Sequence, residues 1–323
     1  MHDKIQRWLV VLHTVAIALH IFSAYVGFSI DSTSFKHSLV YEQRQYRKIG
    51  NYSTNLTNAC TLHSNTIVNT YTTICSDNVW DGVVWLSVME IITAVFHLLY
   101  ILECVCEMPL NYDFIELKAH PLRWIEYSCT ATIITLATLS GIGERSLITF
   151  IIVGMLSPIT HACGALAEIV FANRYSTNRG IIKWLFILGC IPQIIIFVII
   201  AANIITTTSG VVMENKTTST FNKWQIQSIV YSIHYLVFPV IFIIYIVGKM
   251  TFEMSEICYV SASIGSKMAL FWLVISTLNI YAEKYNIMET SNISWDAVWW
   301  VSLFVPPIIT VIVPVIFKRV TRF

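Results

Sequence analysis

Ser263-Ile264-Gly265-Ser266-Lys267-Met268-Ala269-Leu270-Phe271-Trp272-Leu273-Val274-Ile275 sets a single amine inside a stretch that is otherwise small or apolar. Read outward, the run from Cys258 to Tyr281 is long enough to cross a bilayer, since about 20 apolar residues span a core of roughly 30 Å. Lys267 lies about ten residues into it, and snorkelling would have to span too many turns in either direction. An ionisable side chain at that depth costs on the order of 3 kcal/mol or more and by default marks a functional site. Burial disfavours the charged amine, and a neutral amine in an apolar pocket is what a carbonyl compound needs to form a Schiff base. Two other readings stand beside that one: a lysine paired with a buried carboxylate only to fix helix packing, and an ion-transport role.

The rest of the chain calls for the same solvent. Of 323 residues, 56% are hydrophobic and only 12% charged, about half the charge of a soluble domain. Such a chain cannot cover itself with polar surface, so the lipid bilayer is its surroundings. A net charge of +1 implies no nucleic-acid partner. Apolar spans fall at Trp8–Ile30, Trp80–Cys106, Pro121–Gly141, Ser146–Ala172, Ile181–Thr207, Trp224–Val247, Cys258–Tyr281 and Trp295–Phe317. The expected fold is therefore an all-α, multi-pass membrane protein of eight transmembrane helices with short connections after the first. Lys4 and Arg7 precede the first span, whose apolar stretch is too long for a cleaved signal sequence; it reads as a retained anchor. No Walker loop, dinucleotide fingerprint or HExxH motif occurs, and no enzyme is expected.

Basic residues near helix ends mark the cytoplasmic side. With the N-terminus inside, the inner segments hold eleven, from Lys4 and Arg7 to Lys318, Arg319 and Arg322. The outer loops after the first hold four: Arg145, Lys216, Lys223 and Lys284. The acceptor pattern N-x-[ST], usable only on the lumenal side, occurs at Asn51, Asn55, Asn215 and Asn292, and all four then lie outside. Both termini are thus expected in the cytoplasm, and the acceptors suggest passage through a eukaryotic secretory pathway to a membrane such as the plasma membrane.

Asp31–Asn78 is an outer loop of 48 residues, too long for a mere connector. Its second half, Thr61–Cys75, is rich in Thr, Val, Ile and Tyr, which favours short strands, a small β-hairpin over the membrane mouth. Cys60 and Cys75 share this outer, oxidising compartment and are expected to form a disulfide, against the alternative of two free thiols. Cys104, Cys106, Cys129, Cys163, Cys190 and Cys258 lie in or near helices and read as small packing residues, not a metal site.

The carboxylate for Lys267 is Glu126, in His120-Pro121-Leu122-Arg123-Trp124-Ile125-Glu126-Tyr127-Ser128. Pro121 suits the first helical turn, where its missing N–H is not needed. Arg123 shares a face with Glu126 at i−3 and is expected to hold it ionised or to close the pocket towards the cytoplasm; an interfacial salt bridge is the plainer alternative. Ser263, one turn before Lys267 on its face, is placed to bond the lysine nitrogen or Glu126, or else its own backbone. His97 and Glu90 share a face of the second helix, and His13 and His20 a face of the first. Tyr231, His234, Tyr235, Phe238 and Pro239 on the sixth helix are either ordinary kinked core or the wall of a pocket for a long flat polyene.

These residues together resemble the heliorhodopsins, retinal-binding membrane proteins inverted relative to microbial pump rhodopsins. Pro121-Leu122-Arg123-Trp124-Ile125-Glu126-Tyr127-Ser128 is similar to the family's third-helix P-L-R-W-x-E-Y-S pattern. Ser263-Ile264-Gly265-Ser266-Lys267 with Leu270-Phe271-Trp272-Leu273-Val274 resembles its seventh-helix lysine segment. The resemblance runs from the start to about Tyr281. It implies a seven-helix rhodopsin-like domain over 1–285, leaving 286–323 as an extra C-terminal helix and tail that typical members lack. It also implies all-trans retinal as cofactor, Lys267 as its Schiff-base lysine and Glu126 as a single counterion, because Ser263 stands where pump rhodopsins carry a second carboxylate. Tyr127 belongs to the counterion motif. His97 and His20 match histidines of the Schiff-base cavity, and Tyr235, Phe238 and Pro239 match the stretch lining the retinal. A homodimer is implied by the resemblance only.

The function expected is a slow light sensor acting through conformational change on a signalling partner that the sequence does not name. Light-gated passive proton conduction is the alternative, with Glu90, His97, Glu126 and Glu168 as relay candidates. A ligand receptor or scaffold without a chromophore is a third reading.

Overall fold

Apolar runs of this length form helices because a bilayer leaves every backbone polar group to be satisfied within the chain. In the computed structural model, residues 2–29, 36–45, 71–106, 118–142, 144, 146–172, 179–213, 219–284 and 294–321 are described. Among them the helices are α1 (His2–Ser29), α2 (Gly82–Cys106), α3 (Pro121–Gly141), α4 (Leu147–Ala172), α5 (Arg179–Met213), α6 (Ser219–Ile246), α7 (Phe252–Lys284) and α8 (Trp295–Thr321). Seven of the eight are long and apolar enough to cross a membrane. The exception is α3, which carries Arg123, Glu126 and a run of Ser and Thr. It nevertheless packs inside the bundle against α2, α4, α6 and α7. The fold is an all-α membrane bundle.

Contacts in register give the path of the chain. His13 meets His97 and His20 meets Glu90, so α1 and α2 run antiparallel. Tyr100 meets Glu126, and His161 meets Trp124, which turns the chain again at α3 and at α4. Phe186–Phe242 and Phe197–Tyr231 reverse it between α5 and α6. Trp272 donates to Ser23 at 3.1 Å, running α7 parallel to α1 and closing seven helices into a ring. Helix α8 stands outside the ring along α7.

The burial pattern follows polarity. Of the crossing stretch of α7, 83% is buried, against 22–44% in the other six. Its serines and Lys267 are thereby taken away from lipid, while Ile148, Ile151, Ile152, Met155 and Ile159 of α4 face outward. The main core joins Leu86, Met89, Ile133, Leu139, Val153, Ile196, Phe271, Leu273 and Trp299; a second, at the other end, joins Tyr127, Ala167, Phe242, Cys258 and Tyr259.

Two expectations are sharpened by the structure. Helix α7 begins at Phe252 and not at Cys258. The polar Glu253 and Glu256 hid its first turns from an apolarity reading, but Glu256 is buried against Arg123 and needs no water. The β element expected in the outer loop is, among the described residues, an antiparallel pair of β1 (Lys36–Gln45) and β2 (Tyr71–Asp81) with irregular register around Val40, and residues 61–70 of the stretch expected to form it lie outside the described residues. Local composition shows β-propensity, whereas a partner 26 to 45 residues upstream is a tertiary choice.

Candidate functional site: a buried amine and its carboxylate

The site starts from the first turn of α3. Pro121 opens the helix, and His120 as N-cap accepts from the Arg123 N–H. The helical repeat then sets Arg123, Glu126, Tyr127 and Thr130 on one face, all buried. Helix α7 runs parallel to α3 and presents Glu256, Tyr259, Ser263 and Lys267 to that face.

Lys267 Nζ forms an ion pair with Glu126 Oε1, both side chains almost wholly buried. The Tyr100 hydroxyl donates to Glu126 Oε2 at 2.8 Å, so both carboxylate oxygens are held. Tyr127 lies under the amine, with its ring centroid 5.4 Å from Nζ. A buried pair of this kind is marginal for stability but expensive to break. Ser263 is buried beside it, and its hydroxyl makes no hydrogen bond among the described residues. Neither the bond to Lys267 or Glu126 nor the bond to its own backbone is therefore formed.

Of the two roles expected for Arg123, the contact with Glu126 is not formed, and the side chain instead closes one end of the site. It pairs with Glu168 of α4 and Glu256 of α7, and its guanidinium sits 3.8 Å from the Tyr259 ring centroid. Glu168 also accepts from Trp124 Nε1 at 2.6 Å and from the His120 N–H at 3.3 Å. Glu168, read as a relay candidate, is thus tied into a plug joining α3, α4 and α7 at the end where α1 begins. The i−3 spacing put Arg123 near Glu126, but the long side chain reaches the opposite way, to two carboxylates that sequence distance hides.

On the α1–α2 side lies a row of buried protonatable groups. His13 Nδ1 and His97 Nδ1 are 2.8 Å apart, the His97 and His20 rings stack at 5.5 Å, and His20 pairs with Glu90. The Tyr100 ring lies 5.0 Å from His13 and the same distance from His120. His20, His97 and Glu90 are therefore brought together, linked to Glu126 through Tyr100.

The other side of Lys267 opens on aromatic space. Tyr127, Thr130, His161, Tyr231, His234, Tyr235, Phe238 and Leu270 line the part next to the amine. Beyond a shared wall of His161, Tyr235 and Phe238 lies a cavity of about 270 Å³, lined by Trp124, Phe186, Phe197, Pro239 and Phe242 among others. Gly164 is required there, because a Cβ would strike the Trp124 ring.

Sequence reading missed Tyr100, Glu256 and His161 as site residues. Each carried a periodic signal: Tyr100 follows His97 by three, Glu256 precedes Lys267 by eleven, and His161 precedes Glu168 by seven. Cys75 lies in β2 opposite Val40. Its expected partner Cys60 lies outside the described residues, as do Asn51, Asn55, Asn215 and Asn292.

The heliorhodopsin family model matches residues 64–278. The chain belongs to the heliorhodopsin family. The match takes in α2 to α6 and α7 as far as residue 278, and with them Glu126, Lys267 and the aromatic space between, but not α1 or α8. Heliorhodopsins are retinal-binding, light-sensing membrane proteins. No protein with curated annotation matches the chain.

The residues present fit a polyene aldehyde. A heliorhodopsin chromophore needs an amine, a charge to stabilise its protonated form, and a narrow apolar space leading away. Lys267, Glu126 and the space bounded by Tyr127, Tyr235 and Phe238 have those properties.

Proposed function

We propose that this heliorhodopsin is a light sensor carrying all-trans retinal as a Schiff base on Lys267, with Glu126 as the sole counterion. The observation that carries the reading is the buried Lys267–Glu126 pair facing an aromatic space. Bound there, the chromophore supplies light absorption and a change of shape. The protein's part is electrostatic and steric. Glu126 holds a proton on the Lys267 nitrogen, and Tyr100 keeps the carboxylate aimed by donating to its second oxygen. Tyr127 closes the floor beneath the amine. The Arg123–Glu168–Glu256 plug excludes water from one end and ties three helices together. Movement at Lys267 is thus passed to packed helices rather than dissipated in solvent.

The deciding experiment is purification in the presence of all-trans retinal. A coloured protein whose colour is lost in Lys267→Ala supports the reading; colourless apoprotein, or borohydride labelling of another side chain, overturns it.

A second reading, light-gated passive proton conduction, is favoured by one observation, the row from Glu126 through Tyr100, His13, His97 and His20 to Glu90. In voltage-clamped cells, light-evoked current that reverses with the proton gradient would select conduction, and its absence would select sensing. Both termini in the cytoplasm, a homodimeric assembly, an outer Cys60–Cys75 disulfide and glycosylation at the four acceptors belong to this proposal.

A further inference from the structure

The cavity beyond the Lys267 space has an aromatic and aliphatic wall: Phe186, Ile194, Phe197, Leu236 and Phe242. Gln193 of α5 breaks it. Its side chain is 8% exposed, it lines the cavity, and neither its amide nitrogen nor its amide oxygen makes a hydrogen bond. A carboxamide offers two donors and two acceptor sites, and leaving them unmet in a membrane interior is strongly unfavourable. The neighbouring polar groups are committed elsewhere. Tyr235 and His161 bond each other at 2.9 Å. Thr135 donates to the Ala131 carbonyl at 2.6 Å, so the Tyr231 hydroxyl, also 2.6 Å away, gives its proton to Thr135. The Tyr231 hydroxyl is also the polar neighbour of the Gln193 carboxamide, but its single proton goes to Thr135, so neither pair leaves a donor for the Gln193 oxygen.

We infer that Gln193 is a specificity residue: the far end of the cavity takes a polyene aldehyde whose ring end carries a hydroxyl, held by the Gln193 carboxamide. The inference rests on the retinal reading above and adds to it the chemistry of the end away from Lys267. A hydroxyl can both give a proton to Oε1 and accept one from Nε2, which an unsubstituted ring cannot. The cavity, about 270 Å³ against about 40 Å³ beside the amine, has room for the ring and its oxygen.

Apoprotein made without aldehyde is incubated with equal amounts of all-trans retinal and all-trans 3-hydroxyretinal. Borohydride then traps the adducts, and the Lys267 peptides are quantified by mass. The hydroxylated adduct should exceed the plain one by about fivefold, as expected for one added hydrogen bond. The ratio should fall to about one in Gln193→Leu and be partly kept in Gln193→Asn. A ratio of one or less in the unaltered protein overturns the inference, as does a preference that survives Gln193→Leu. Should that variant fail to fold, the unaltered protein's ratio still decides. Adducts of neither aldehyde on Lys267 would sink the retinal reading itself, a different result from adducts formed without preference.

Discussion

Glu126 is engaged at both oxygens, by Lys267 and by Tyr100, and the two contacts can be separated by substitution. In Glu126→Gln the fixed negative charge is gone, so the pigment should lose its Schiff-base proton at lower pH and absorb further to the blue at neutral pH. An unchanged titration and spectrum would refute the counterion assignment. Tyr100→Phe removes only one donor, so a smaller spectral shift is expected, with pigment still formed; pigment titration on both variants compares them. Arg123 is a different case. Arg123→Gln strands Glu168 and Glu256 in one buried site, at a cost of about 3–5 kcal/mol. Adding Glu256→Gln should recover part of the lost thermal stability, whereas an additive loss would mean that the two side chains do not act as a pair.

Helices α7 and α8 approach closely at Gly265, where a Cβ would meet the Thr310 side chain and lie 2.7 Å from the Pro306 carbonyl oxygen. Across the same contact the Thr310 hydroxyl stands 3.4 Å from the Ser261 carbonyl oxygen and 3.2 Å from the Pro306 carbonyl oxygen of its own helix. Backbone cannot yield as a flexible side chain can, so Gly265→Leu should force α8 away from α7. Overpacking of this kind costs about 1–3 kcal/mol. Differential scanning fluorimetry in detergent should show a melting point lowered by several degrees. Gly154→Ala on α4, where nothing lies within 4 Å of the new methyl, is the matched control and should be neutral or slightly stabilising. Equal losses in both would mean that the α7–α8 contact is not responsible. Helix α8 lies on the lysine-bearing helix and, like α1, outside the matched 64–278.

At the scale of the whole molecule the prediction concerns orientation. Both termini are proposed to be cytoplasmic, so epitope tags at either end should be stained only after permeabilisation, and staining of intact cells would reverse the assignment. Much of the architecture was readable beforehand, because in a bilayer the solvent acts on each span separately. A run of apolar residues must become a helix whatever its neighbours do, which is why each of the eight spans falls within an observed helix to within two residues, while the helices run up to six residues further at the polar ends of α1, α5, α6 and α7. Lys267 and Glu126 were legible for the same reason, as ionisable groups too costly to bury without a purpose. Direction and partnership were not legible. That Arg123 turns from Glu126 to Glu168 and Glu256, that Tyr100 caps the carboxylate, and that β1 pairs with β2 depend on which helix or strand stands beside which. Those pairings join groups tens to more than a hundred residues apart. Their energies come from contacts across the bundle, which no single span contains.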